Sequence, residues 1–253
     1  MRLLPLPGPA VALGTALSTA LGTALGASLI AATPALAAGG VTITSYGHSA
    51  LLIQGGGQSV LLNPFRAVGC AAGLAEPRVG ASAILASSRL LDEGAPGVAS
   101  GRFLVDPGTY QVGSLRFEGI GGPHDRVGGR RFGQATIWRW RQGGLNFAHL
   151  GGTAAPISPA DKVLLGRPDV LIIGVGGGAK VYDGREAAEL VRELQPRVVI
   201  PVQYVSGATP ANCDQGSVQP FLDAMAGTPV QRAGSRINLP GSLAEGPVIK
   251  VMR

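Results

Sequence analysis

The segment Ser87-Ser88-Arg89-Leu90-Leu91-Asp92-Glu93 places two adjacent carboxylates just behind a short apolar run, Ala83-Ile84-Leu85-Ala86. Carboxylates can work as general acid and base, or as oxygen ligands to a hard divalent cation. Of the three histidines, His124 is the best partner for them, in the loop sequence Gly-Gly-Pro-His-Asp. If such side chains converge, two carboxylates and an imidazole can hold one divalent ion. His48 sits in a Gly-His-Ser turn, and Lys180 follows the run Gly174-Val175-Gly176-Gly177-Gly178. Either can face the same place, or be a hydrogen-bonded loop histidine and a solvated lysine. His149 closes a strand and reads as structural.

Other chemistries have less support. The glycine run does not lead through Gly-Lys-Ser/Thr into a helix, so it is no phosphate loop, and its spacing fails the dinucleotide pattern. No Gly-x-Ser-x-Gly elbow is present. Ser87 or Ser88 would make a Ser-His-Asp arrangement with Asp92 and His124 only if the fold brings their loops together.

These residues need a frame. Val41–Thr44 reads as a strand. Ala50–Ile53 and Ser59–Leu62 form a hairpin around Gly55-Gly56-Gly57. Ala83–Ala86 is a short buried strand. Arg102–Val105 and Ser114–Phe117 are strands on either side of the turn Asp106-Pro107-Gly108. Ala135–Trp140 and Leu145–His149 form a second hairpin through Gly143-Gly144. Val170–Ile173 and Val198–Ile200 are continuous apolar runs, as in fully buried strands. Gly184–Leu194 has Ala187, Leu190, Val191 and Leu194 at helical spacing, with Asp183 as N-cap. A last helix is expected over Ser217–Ala226 and a closing strand near Val248–Val251. Alternation of strands and helices implies sheets with helices outside, in one domain over 38–253.

Several segments, in order over about 41–205, together resemble the metallo-β-lactamase superfamily, in particular its ascorbate-phosphate-lactonase-like hydrolases. They are Tyr46-Gly47-His48-Ser49-Ala50, Leu61-Leu62-Asn63-Pro64, Gly122-Pro123-His124-Asp125, His149-Leu150-Gly151-Gly152-Thr153, Asp169–Gly177, Glu186-Ala187 and Val199-Ile200-Pro201-Val202-Gln203-Tyr204. The resemblance implies an α/β, four-layer αββα sandwich with a site built from loops at one edge of two sheets. It also implies metal-bound hydroxide as the reagent. The family's Thr-His-x-His-x-Asp-His motif falls on 87–93. There Ser88 stands at the first histidine, Leu90 at the second, Asp92 at the aspartate and Glu93 at the last histidine. His124 matches a later ligand, Gly152 replaces the bridging aspartate, and Gln203 replaces the final histidine. What the resemblance leaves is Asp92, Glu93 and His124 for one divalent ion, zinc or manganese, with Asp92 and His124 as the candidate catalytic pair. The expectation is a family member with little or no binuclear hydrolase activity, no resident cofactor, and a small molecule or protein bound at the old cleft. A hydrolase of an ester, lactone or phosphoester with a rebuilt mononuclear site is the alternative, and a structural envelope protein is a third reading.

The first 37 residues carry one charge, Arg2, and end in Ala35-Leu36-Ala37. A basic start, an apolar middle and a small-x-small end make a secretory signal, cleaved before Ala38. The expected compartment is the periplasm, with a thylakoid lumen or secretion as variants, and no transmembrane span remains after cleavage. Cys70 and Cys213 can pair there, or be two separate buried side chains. The chain is 45% hydrophobic and 14% charged, with a net charge of +6. Its densest basic cluster, Arg126, Arg130, Arg131, Arg139 and Arg141, comes with no nucleic-acid-binding motif, so a solvated face is expected and no nucleic-acid partner.

Overall fold

Residues 39–253, and the isolated Gly8, are described by a computed structural model. The expected signal segment, 1–37, lies outside these residues apart from Gly8. Residues 39–253 belong to one compact unit.

The chain opens with three antiparallel strands, β1 (Gly40–Ser45), β2 (Leu51–Gly55) and β3 (Gln58–Leu62). Gly56 and Gly57, both with positive φ, make the two-residue turn between β2 and β3, where a side chain would be strained. β4 (Gly80–Leu85) and β5 (Ser100–Leu104) add in parallel to β3. The chain then passes to a second sheet. β6 (Gly108–Val112), β7 (Leu115–Pro123), β8 (Gln134–Gln142) and β9 (Leu145–His149) form an antiparallel meander there. The Asp106-Pro107 stretch is therefore a crossover between sheets, and the hairpin turn lies at Gly113 instead.

A short helix α1 (Pro159–Leu165) precedes β10 (Val170–Gly174). Helix α2 (Gly184–Leu194) follows as its spacing predicts. Its N-terminus is closed by a reciprocal capping box: Asp183 accepts from the Glu186 N–H and the Glu186 carboxylate accepts from the Asp183 N–H. Then come β11 (Val198–Val202), α3 (Gln219–Ala224), β12 (Val230–Arg232), β13 (Arg236–Pro240) and β14 (Val248–Val251). β13 returns to pair with β1. β14 and β12 extend the second sheet beyond β11, giving sheets of six and eight strands.

Period-two alternation decides which residues lie between the sheets. Ile43, Leu51, Ile53, Val60, Leu62 and Leu85 point inward from the first sheet, and Trp138, Trp140, Phe147, Val170, Ile172 and Ile200 from the second. The alternate residues Ile137, Ala148, Leu171, Ile173 and Val199 face outward and pack against Ala187, Leu190, Val191 and Leu194 of α2 and Phe221 of α3. That double coverage is why β10 and β11 are apolar throughout. The outer face of the first sheet, Leu52, Leu61 and Ile84, is covered by partly buried Tyr46, Val79 and Phe103. The expected two-sheet sandwich is present, with the helices of the described residues on the second sheet.

Two cross-sheet hydrogen bonds fix the edge where β4 ends. Trp138 Nε1 donates to Ala86 O at 2.9 Å, and the Thr136 N–H donates to Ser87 O at 2.7 Å. Among the described residues no helix is long and apolar enough to cross a membrane.

Candidate functional site

At this edge the ends of β3, β4, β7, β9, β10 and β11 bring their loops together. Asn63, at the end of β3, locks the loop after β4. Its Oδ1 accepts the Ser87 N–H at 2.8 Å, and its Nδ2 donates to Ser87 Oγ at 2.9 Å. Ser87 Oγ in turn accepts the Gly152 N–H at 3.2 Å. Asn63 and Ser87 thus set the floor of the site. In the sequence, Asn63 stands out in the family segment Leu61-Leu62-Asn63-Pro64 and Ser87 at the head of the segment 87–93, but neither shows there that it bonds the other.

Glu93 is the hub. Its side chain is fully buried. Oε1 accepts from Ser88 Oγ at 2.6 Å and lies 2.5 Å from His124 Nε2, and Oε2 accepts from Gln203 Nε2 at 2.6 Å. Burial opposes its ionisation. The hydrogen bond and charge of His124, then Ser88 and Lys180, outweigh that and hold the carboxyl down at about 2. An ionised carboxylate therefore sits among three donors.

The room for it comes from Gly152. A Cβ on Gly152 would lie 1.8 Å from Glu93 Oε2. Position 152 is where the bridging aspartate of the resembled family would stand, so the Glu93 carboxylate fills the space its side chain would need.

Asp92 turns elsewhere. Its Oδ2 lies 2.5 Å from Lys180 Nζ, which also rests 5.7 Å from the centre of the Phe132 ring. Gly69 also lies close to Asp92: a Cβ there would be 3.2 Å from Asp92 Oδ2. Asp92, Glu93 and His124 are therefore not arranged as one ligand set in this structure: among the described residues no three His, Cys, Asp or Glu side chains are grouped to hold a metal ion. The donor chemistry agrees. Each Glu93 oxygen is already taken by protein donors, Asp92 is taken by an ammonium, and Leu90 offers no ligand atom. The residues present do not fit the binuclear metal set.

His124 is held by its loop. Asp125 accepts from the N–H groups of Val127, Gly129, Arg131 and Phe132 at 2.8–3.0 Å, and its carboxyl stays below the usual range because these four bonds outweigh the effect of burial. This orders the 125–133 turn that lays Phe132 beside His124. Ser88 donates to Glu93 and not to His124, so no serine nucleophile is set up. His149 is fully buried and neutral, with burial pushing it down to about 4. His48 has a positive φ, its carbonyl accepts the Gln203 N–H at 2.9 Å, and burial lowers its ring against the pull of Asp92 and Glu93. Buried nitrogens of all three histidines, and Gln203 Oε1, lack a protein partner.

Cys70 and Cys213 are joined in a disulfide, with Cα atoms 4.5 Å apart. Two arginines of the basic cluster form ion pairs, while Arg130, Arg131 and Arg141 are exposed. Arg126 binds Glu186 and the carbonyls of Gly178 and Val181, and Arg139 binds Glu118.

A family profile described as the Beta-lactamase superfamily domain matches residues 42–203, more than half of the chain. The chain belongs to that superfamily. A UPF0173 protein of Pyrococcus furiosus is 40% identical over 63 residues, 25% of this chain. The match spans 29% of that relative's own length. Among solved structures, a metallo-β-lactamase superfamily protein from Thermotoga maritima aligns with a TM-score of 0.67 at 24% identity, covering 84% of this chain and all of the other. CmlA, a diiron β-hydroxylase from Streptomyces venezuelae, aligns at 0.54 and 18% identity, over 79% of this chain and 54% of its own. At these identities the likenesses show the fold. That one of these superfamily-like folds carries a hydroxylase is a reminder that the fold does not select the reaction.

Proposed function

We propose that this chain is an exported member of the β-lactamase superfamily whose metal centre has been exchanged for a hydrogen-bonded carboxylate knot, and that it acts by binding rather than by metal-dependent hydrolysis. The observation that carries this reading is the Glu93 carboxylate filling the space that a side chain at Gly152 would need. One carboxylate occupies the space of another, and its oxygens are turned to Ser88, His124 and Gln203. Export is supported by the signal-like N-terminal sequence and by the disulfide, which persists in oxidising compartments.

With the centre filled, a small ligand would have to use the rest of the same edge. A cavity of about 140 Å³ lies there, lined by His48, Leu51, Leu74, Tyr204 and Met252 among others. A mononuclear hydrolase built on Asp92, Glu93 and His124 would require Lys180 to release Asp92 and Glu93 to give up its donors, and no observation favours it.

The test is turnover. The purified protein is assayed on ester, lactone and phosphoester panels, with and without added zinc or manganese. The reading expects no metal-dependent turnover. Hydrolysis that needs the added ion and disappears in His124→Ala overturns it.

A further inference from the structure

The Cys70–Cys213 disulfide closes a ring of contacts around Asp92, the neighbour of Glu93. Cys70 lies in the loop after β3 and Cys213 in the loop after β11, so the bond joins chain segments 143 residues apart. Beside Cys70, Gly69 lies close to Asp92, and a Cβ there would be 3.2 Å from Asp92 Oδ2. From Cys213 the neighbouring Asp214 accepts the Ala179 N–H at 2.8 Å and seats Gly178. Lys180 follows and completes the ring on Asp92. The Gly216 N–H to Gly176 O bond, 2.7 Å, and the Val205 N–H to Gly216 O bond, 2.8 Å, hold the same loops. Few apolar side chains back this cover. Residues 206–209, 211, 212 and 214 are exposed, so the disulfide is the strongest tie in it.

Both half-cystines are partly exposed, and Cys70 also lines the cavity beside His48. The two sulfurs are not equivalent. Cys213 Sγ accepts the Gln215 N–H at 3.4 Å, whereas the Asp214 carboxylate stands 3.9 Å from Cys70 Sγ. A thiolate leaving on Cys213 is stabilised by that N–H, and one on Cys70 is opposed by the carboxylate, so exchange runs by attack on Cys70.

We infer that this disulfide is a thiol–disulfide exchange site for a dithiol reductant, and that it works as a latch on the closed centre. One thiolate of the reductant attacks Cys70 Sγ, the S–S bond breaks, and Cys213 leaves as thiolate and takes a proton. The second reductant thiolate attacks its own sulfur in the mixed disulfide, releasing Cys70, which is protonated in turn. Two electrons and two protons pass to the protein, and the reductant ends as a disulfide. The loops then part, and Lys180 and Asp92 become accessible. This deepens the proposed function and rests on it, because a latch presupposes a centre that is closed by protein groups.

The chain has three lysines, which makes the test direct. The oxidised protein and the protein treated with dithiothreitol, without denaturant, are labelled with an amine-reactive reagent and read by peptide mass spectrometry. Lys162 and Lys250 serve as internal references. The latch predicts that reduction raises Lys180 labelling by about tenfold relative to the other two, as expected for a local opening, with circular dichroism unchanged. The Cys70→Ser/Cys213→Ser variant should label like the reduced protein. Glutathione should form its mixed disulfide on Cys70. Unchanged Lys180 labelling overturns the inference. So does a rise at all three lysines with loss of the fold, which would make the disulfide a staple. Metal content of the oxidised protein tests the underlying reading separately: a metal-free protein with unchanged labelling fails only the latch.

Discussion

Replacing Gly152 by alanine isolates the exchange at the centre of the site. Gly152 does not have a positive φ, so its backbone accepts a side chain. The added methyl carbon would stand 1.8 Å from Glu93 Oε2, far inside contact distance. Glu93 must then swing out, and its bonds to Ser88, His124 and Gln203 cannot all survive. Disrupting a buried, hydrogen-bonded charge costs about 3–5 kcal/mol. For a domain of this size that lowers Tm by roughly 2–4 °C per kcal/mol. Glu93→Ala alone should cost a similar amount, because it strands three buried donors. The two changes address one space, so they should not add. In the Glu93→Ala background, Gly152→Ala should cost less than ~1 kcal/mol, a coupling typical of groups in direct contact. Urea unfolding of the four proteins of the cycle measures this. Additive effects, or a single Gly152→Ala cost below ~1 kcal/mol, would refute the claim that Glu93 holds this space.

Stability should fall over two successive ranges as the pH is lowered. His149 is held at about 4 in the folded state, below its ordinary value near 6.5, so its contribution is lost as the pH falls from 6.5 to 4. Glu93, at about 2, contributes fully above 4.5 and loses its contribution as the pH falls from 4.5 to 2. Each shift corresponds to about 3 kcal/mol. Stability measured against pH should lose its upper limb in His149→Leu and its lower limb in Glu93→Gln, and an unchanged profile in either variant would contradict the assignment. Ser88→Ala removes one donor to Glu93 and the acceptor for the Leu90 N–H, and should cost about 1–3 kcal/mol in the same unfolding assay. Asp125→Ala frees four N–H groups of the 125–133 turn, so amide exchange there should rise while β10 and β11 stay protected.

Much of the frame is legible in the sequence for local reasons. Helix α2 has both periodicity and a cap, the β2–β3 hairpin has its glycine turn, and β10 and β11 announce their burial by unbroken apolar runs. The ordered family segments extend this to the whole sandwich, and the replacements at Ser88, Leu90, Gly152 and Gln203 stand out against them. What resisted reading is non-local. Asp106-Pro107-Gly108 carries turn chemistry whether it links neighbours in one sheet or crosses to the next. Helix α1 has seven residues, too few for a periodic signal. The Asp92–Lys180 pair is separated by 88 residues and the disulfide by 143, and no local pattern encodes either. The turn of Glu93 into the Gly152 space depends on side-chain direction in a loop. Adjacent acids in sequence therefore suggested a shared ligand set, whereas Asp92 and Glu93 face different partners.

Zinc titration of the purified protein, followed by calorimetry and elemental analysis, addresses the exchange of metal for carboxylate most directly. The account predicts well under one equivalent of tightly bound metal and no rise in Tm on addition of zinc or manganese. One or two equivalents that raise Tm, and are lost in His124→Ala, would contradict it.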